Sequence, residues 1–148
     1  MGQWAMKFWR KKPQTSDWVI RHVESGESIP GMVFTIYVAE SDASEDVRYF
    51  DLQCALGEPT AQDVDLELDS YCIVNDAGGV QFGGLDEFTM GPDGLVLSFQ
   101  DDAVEELELS SHVVTLGIDS AIDVDEVRAG LRKVLSYGNP RKVPQMNL

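Results

Sequence analysis

The sequence predicts an α+β fold: an antiparallel sheet of six or seven strands packed against a C-terminal amphipathic helix, with one short additional helix. Three observations carry this reading. Short apolar runs, several with two-residue alternation, recur from Trp18 to Ile118 between polar or Gly-rich clusters. Two of those clusters, Ser41 to Asp46 and Gly91-Pro92-Asp93-Gly94, are short enough to join antiparallel neighbours. Near the C-terminus the period becomes helical, with Val124, Val127, Leu131, Val134 and Leu135 in one stripe.

Trp18 to Val23 reads as the first strand, closed by Glu24-Ser25-Gly26. Met32 to Ala39 follows. Val33, Thr35, Tyr37 and Ala39 face one way, and Phe34, Ile36 and Val38 the other. A strand apolar on both sides belongs in a sheet interior. Val47 to Leu56 pairs with it as a hairpin. After the loop Gly57 to Gln62, Asp63 to Asp69 alternates acid with aliphatic and reads as a half-buried strand or extended segment. Tyr71 to Val74 runs into the turn Asn75-Asp76-Ala77-Gly78-Gly79, and Val80 to Phe82 resumes. Gly83-Gly84 marks a bulge or a close backbone approach. Phe88 to Met90 and Leu95 to Phe99 form a second hairpin.

Asp101 to Leu109 suits a short helix, with Asp102 and Glu105 at capping-box spacing. Val113 to Ile118 returns to strand. Asp123 is placed to cap the last helix, with Glu126 three residues on; Gly138 and Pro140 stop it. Arg128, Arg132 and Lys133 lie toward its C-terminal half, where the helix dipole favours cations.

At 148 residues the chain reads as one domain over residues 18–138, between a basic, loosely ordered segment 1–17 and a tail 139–148. A chain of this size buries roughly 68–70% of its unfolded surface, so it needs no metal or disulfide staple. Cys54 and Cys72 match no zinc or redox spacing and read as buried free thiols in a reducing compartment. Lys7 to Lys12 is followed by Pro13 to Asp17 rather than an apolar run, which argues against a signal peptide. Trp4 to Lys12 has the composition to touch a membrane or fold back on an acidic body, but reads as a loosely held terminus. No run reaches membrane-spanning length. The expected location is the cytoplasm.

Charge is the most telling feature. The net charge is −15, and the 79 residues from Tyr49 to Val127 hold 19 of the 26 carboxylates without one Lys or Arg. Binding nucleic acid through its phosphates needs cations, so that class is disfavoured. A one-signed field governs association rate and partner choice more than fold. It points to a basic partner.

Catalytic signals are weak. His22 and His112 are the two imidazoles, and both read as strand-surface or partly buried residues. Ser110-Ser111-His112 sets hydroxyls beside a histidine in sequence, which is no triad in space, and no nucleophile elbow is present. Asp63 to Asp69 resembles a calcium loop only superficially. Leu68 stands where the loop needs glycine and Val74 where it needs glutamate. Gly78, Gly79, Gly83 and Gly84 precede no P-loop lysine. No catalytic, cofactor-binding or metal-binding residue is assigned, and no cofactor. The acidic segment is balanced on its own terms. Asp101 with Glu105 and Asp102 with Glu106 each cost roughly 0.2–0.5 kcal/mol. The dipole returns about 0.3–1 kcal/mol per well-placed acid. A solvated face kept for solubility, or adaptation to high salt, therefore stands beside a binding face.

The stretch Tyr71 to Phe88, with its Tyr-Cys strand, polar turn, aromatic and paired glycines, resembles the centre of the bacterial immunity protein 10 family. Gly91 to Phe99, Asp101 to Leu109, Val113 to Ile118 and Asp123 to Tyr137 are similar to the elements that follow in that family. Phe34 to Glu40 and Tyr49 to Leu56 resemble its earlier strands more loosely, so the resemblance covers roughly residues 18–138. It implies an antidote of a polymorphic toxin system, binding one cognate toxin domain stoichiometrically and without catalysis. Tyr71, Gly83 and Gly84 are the residues shared with the family, in a structural or a contact role. Charge and resemblance together nominate Asp86, Glu87, Asp101, Asp102, Glu105, Glu106 and Glu108 as the contact face for a basic toxin domain, with Phe82 or Phe88 as anchors if exposed. The alternatives are a carboxylate-rich metal-dependent hydrolase and an acidic adaptor with no toxin.

Overall fold

Two places where the chain changes sheets decide the architecture. The computed structural model describes residues 17–43 and 45–148, so the basic N-terminal segment, Asp17 apart, lies outside the described residues. In chain order the elements are β1 (Trp18–Ile20), β2 (His22–Ile29), β3 (Val33–Ala39), β4 (Tyr49–Ala55), α1 (Ala61–Asp65), β5 (Cys72–Asn75), β6 (Val80–Phe82), β7 (Leu85–Met90), β8 (Gly94–Phe99), α2 (Asp101–Glu106), β9 (Val113–Ile118), α3 (Val124–Leu135) and β10 (Gln145–Asn147). A mixed α+β fold holds. The single sheet of six or seven strands is corrected to two sheets of five among the described residues. One is a meander, β2-β3-β4-β5-β6, antiparallel throughout. The other is mixed, β1-β9-β8-β7-β10, with parallel pairings at both edges.

The first change of sheet splits the strand expected over Trp18 to Val23. Trp18 pairs opposite Leu116 in the mixed sheet, whereas His22 pairs opposite Ala39 in the meander. Arg21 bridges the two and donates its N–H to the Ala39 carbonyl at 2.9 Å. β2 then runs through Glu24-Ser25-Gly26, which was expected to close it. The second change is at Gly83-Gly84, where φ is +75° and +97°. Glycine adopts these angles without the Cβ clash that other residues meet. The joint is locked from beneath by Tyr71, which is fully buried and whose hydroxyl accepts the Leu85 N–H at 3.0 Å. Burial pushes that phenol up to about 12, so it remains a neutral hydroxyl.

The inner faces meet in one core. Ile36, Leu52 and Ile73 align across β3, β4 and β5, and all are buried. Phe50 of the meander stacks between Trp18 and Phe99 of the mixed sheet, at 6.1 and 6.0 Å. α3 lies over β2, β3 and β4. Asp123 caps it as expected, accepting from the N–H groups of Asp125 and Glu126. Val127, Leu131, Val134 and Leu135 are buried beneath it, each worth roughly 1.5–3 kcal/mol relative to exposure. On the meander side the Ser25 hydroxyl donates to Glu126 at 2.7 Å, and the Lys133 ammonium sits 4.8 Å from the Phe34 ring centre.

One further expectation is corrected. Asp63 to Asp69 forms no strand: α1 occupies Ala61–Asp65 and a turn follows. The Thr60 hydroxyl accepts from Asp63 N–H while the Asp63 carboxylate accepts from Thr60 N–H, a reciprocal capping box that starts a helix. Val64, Leu66 and Leu68 are exposed, so the alternation of that segment never acquired a buried face. Residues 139–148 include β10, an edge strand of the mixed sheet. Met146 of β10 pairs beside Phe88 of β7, and Asn139 N–H donates to the Asp69 carbonyl at 2.8 Å. Cys54 is buried and Cys72 half-buried, both unpaired. Burial raises both thiols, Cys72 to about 11, which leaves them protonated near neutral pH. No described helix is long and apolar enough to cross a membrane.

Candidate functional site

α2 is held by its surroundings rather than by its own sequence. The expected capping box at Asp102 and Glu105 is absent, because the helix begins at Asp101 with Gln100 as an N-cap that makes no side-chain bond. Helix geometry ends at Glu106, short of the expected Leu109. Asp101 and Asp102 suit the dipole at its start, and no basic residue stands at its end. Ala103 and Leu107 are fully buried and anchor it. The glycines at its back make room. A Cβ on Gly84 would lie 2.8 Å from that of Ala103, and one on Gly79 would overlap the Glu106 carbonyl.

This docking presents Asp101, Asp102, Glu105, Glu106 and Glu108 to solvent along one short stretch. Two glutamines arrange the neighbours: Gln100 Nε2 donates to Asp86 at 3.1 Å, and Gln81 Nε2 donates to Asp102 at 3.3 Å. Asp101 contacts His112 Nε2 at 2.6 Å on the surface. Glu87 differs from the rest, its carboxylate accepting from Asn147 Nδ2 of β10 at 2.8 Å. Among the described residues, no Lys or Arg forms an ion pair with any of these seven acids. Of the two candidate anchors, Phe88 is fully buried in the core, and Phe82 is 37% exposed on β6 beside α2. Val80, on the same strand, is exposed as well.

The arrangement offers little covalent chemistry. Ser111 Oγ accepts from Val113 N–H at 3.1 Å, while His112 turns to Asp101, so no hydroxyl is bonded to an imidazole there. His22 contacts Glu24 at 2.6 Å. No group of three or more His, Cys, Asp or Glu among the described residues is placed to hold a metal. A cavity of about 540 Å³ opens on the outer face of the mixed sheet, away from α2. Its bare floor follows from Gly94 pairing opposite Gly117, two residues with no side chain. Asp93 is the one ionisable residue on its wall.

Reading the sequence did not reveal that Gln81, Gln100 and His112 contact the acids, or that Asn75 bonds to the last turn of their helix. No motif marks a glutamine that reaches another strand. Tyr71, Gly83 and Gly84 are all buried at the sheet joint.

A family model described as Immunity protein 10 matches residues 19–127. Comparison with curated proteins returns no match, and neither does comparison with solved structures.

Proposed function

Because the chain belongs to the immunity protein 10 family, we propose that it binds a cognate bacterial toxin domain and neutralises it by occlusion through an acidic surface. The family match over residues 19–127 is the observation that carries this reading. The net charge of −15 and the exposed acids around α2 support the choice of partner, a basic toxin domain. Asp86, Asp101, Asp102, Glu105, Glu106 and Glu108 form its leading edge, and Glu87 joins once Asn147 releases it.

The physical role of this edge is steering. Complementary fields raise association to about 10⁸–10⁹ M⁻¹s⁻¹ at low salt, against roughly 10⁵–10⁶ without them. Dissociation is set by whatever is desolvated at the centre of the contact, which the exposed carboxylates alone do not supply. The protein acts stoichiometrically and in the cytoplasm of the cell it protects.

The test uses the toxin domain that this reading expects to be encoded in a neighbouring gene. Nanomolar or tighter binding is expected. Changing Asp102, Glu105 and Glu106 together to lysine should lower the association rate and flatten its salt dependence. An unchanged rate removes the edge from the interface, and no binding at all removes the function.

A further inference from the structure

The open face of the meander sheet carries a row that the acidic edge does not explain. Glu24 of β2, Tyr37 of β3 and Asp51 of β4 are register partners, side by side on three adjacent strands. Strands lie about 4.8 Å apart, so the two carboxylates flank the Tyr37 ring at a separation of roughly 10 Å. In the next row Gly26 stands opposite Thr35 and contributes no side chain. A cleft of about 320 Å³ opens there, walled by Glu24, Ser28, Thr35, Tyr37 and Asp51.

The lining is built and one-signed. Tyr37 is fixed by Tyr49 at 5.3 Å and by the edge of His22 at 6.1 Å. Ser28 and Thr35 hydroxyls bond each other at 2.8 Å. Asp51 is half-buried, yet the side-chain donor that reaches it is the neutral amide of Gln53 at 3.1 Å. Burial pushes its carboxyl up, and the Gln53 bond only partly offsets that. No Lys or Arg among the described residues pairs with Asp51. Glu24 has His22 beside it and is otherwise open to solvent.

We propose that this cleft receives an arginine side chain of the partner protein. The inference rests on the reading above that the partner is a basic toxin domain. A guanidinium is planar, so it stacks on the Tyr37 ring and offers donors in its own plane to Asp51 on one side and Glu24 on the other. A lysine ammonium matches the charge but not the plane. Val80 aligns with Val74 and Asp51, and Phe82 with Cys72 and Gln53, so their exposed side chains extend the same open face to β6, the strand whose other face meets α2 through Gln81 and Asp102. The interface then has what exposed acids lack: a desolvated aromatic and charged centre, which sets dissociation.

The cleft is tested without the toxin by titrating the full chain with N-acetyl-arginine amide and reading backbone amide shifts by NMR. Saturable shifts are expected at residues 24–28, 35–37 and 51–53, weaker with the lysine amide and absent with the uncharged citrulline amide. Asp51→Asn should weaken the arginine response at least about fivefold with the rest of the spectrum unchanged. Shifts centred on residues 101–108, no saturable shift, or an unchanged response in the variant would overturn the proposal. With the toxin domain, Asp51→Asn and, separately, Tyr37→Leu should each speed dissociation about tenfold while sparing the salt-dependent association rate. Unchanged dissociation overturns it too. A toxin domain that fails to bind refutes the proposed function, and the amide titration still decides the cleft.

Discussion

Asn75 ties the acidic helix to the meander sheet: its Nδ2 donates to the Leu107 carbonyl at 2.7 Å, from the end of β5 to the last turn beyond α2. Asn75 is 4% exposed and Leu107 fully buried. Carbonyls at a helix C-terminus lack intrahelical partners, and this one is too deep for solvent to serve. Asn75→Leu keeps the approximate volume and removes the donor, leaving a buried acceptor unpaired. The variant also removes the buried Asn75 Oδ1, which has no partner among the described residues, so the expected net loss is about 1 kcal/mol, the low end for an orphaned acceptor. A urea melt should show a lower midpoint at unchanged slope, with faster hydrogen exchange at residues 103–109. A midpoint equal to the parent's would show that α2 docks without this bond.

Local signals were legible where the chain's neighbours in sequence are also its neighbours in space. The β3–β4 and β7–β8 hairpins formed about their turn residues, and Asp123 with the stripe from Val124 to Leu135 placed α3. Long-range choices were not legible. Alternation says which side chains share a face, and nothing about which strand lies alongside. Hence Arg21 was read within a strand and Gly83-Gly84 as a bulge or close backbone approach, although each moves the chain to another sheet. β10 was missed because Gln145-Met146-Asn147 is too short to carry a pattern and depends on β7 for its pairing. The acids of α2 were visible as charges. Asn75, Gln81 and Gln100, which place them, had no local signature. Tyr37 and Tyr49 have the composition of core residues, and only the register shows them on the open face.

Lys142 clamps the C-terminal segment onto Asp69, with its ammonium 2.7 Å from the carboxylate. That contact, aided by Asn139 Nδ2 at 3.1 Å, holds the Asp69 carboxyl below the usual aspartate range. A carboxyl depressed in the folded state contributes stability above its unfolded value of about 3.9, and the contribution is lost as pH falls through the lower folded value. Lys142→Met keeps the stem that packs by Gly83 and removes the charge. Its melting temperature should therefore fall below the parent's at pH 5–7, with the gap closing in acid below about pH 3.9. A gap independent of pH would mean that the lysine acts through packing alone.

Asp51 predicts the opposite sign. Burial raises its carboxyl in the folded state, so the charged form is penalised on folding. Stability from this group is then greatest below the unfolded value of about 3.9 and declines as pH rises through the raised folded value. Asp51→Asn should melt higher than the parent near pH 7, and the advantage should vanish in acid. Removing any one charge from a chain of net charge −15 also relieves repulsion. Asp65→Asn, at an exposed site, measures that general part. An excess for Asp51 over Asp65 identifies a carboxylate kept at some cost to the free protein, as a binding residue often is. Equal shifts at the two positions would leave Asp51 an ordinary surface acid.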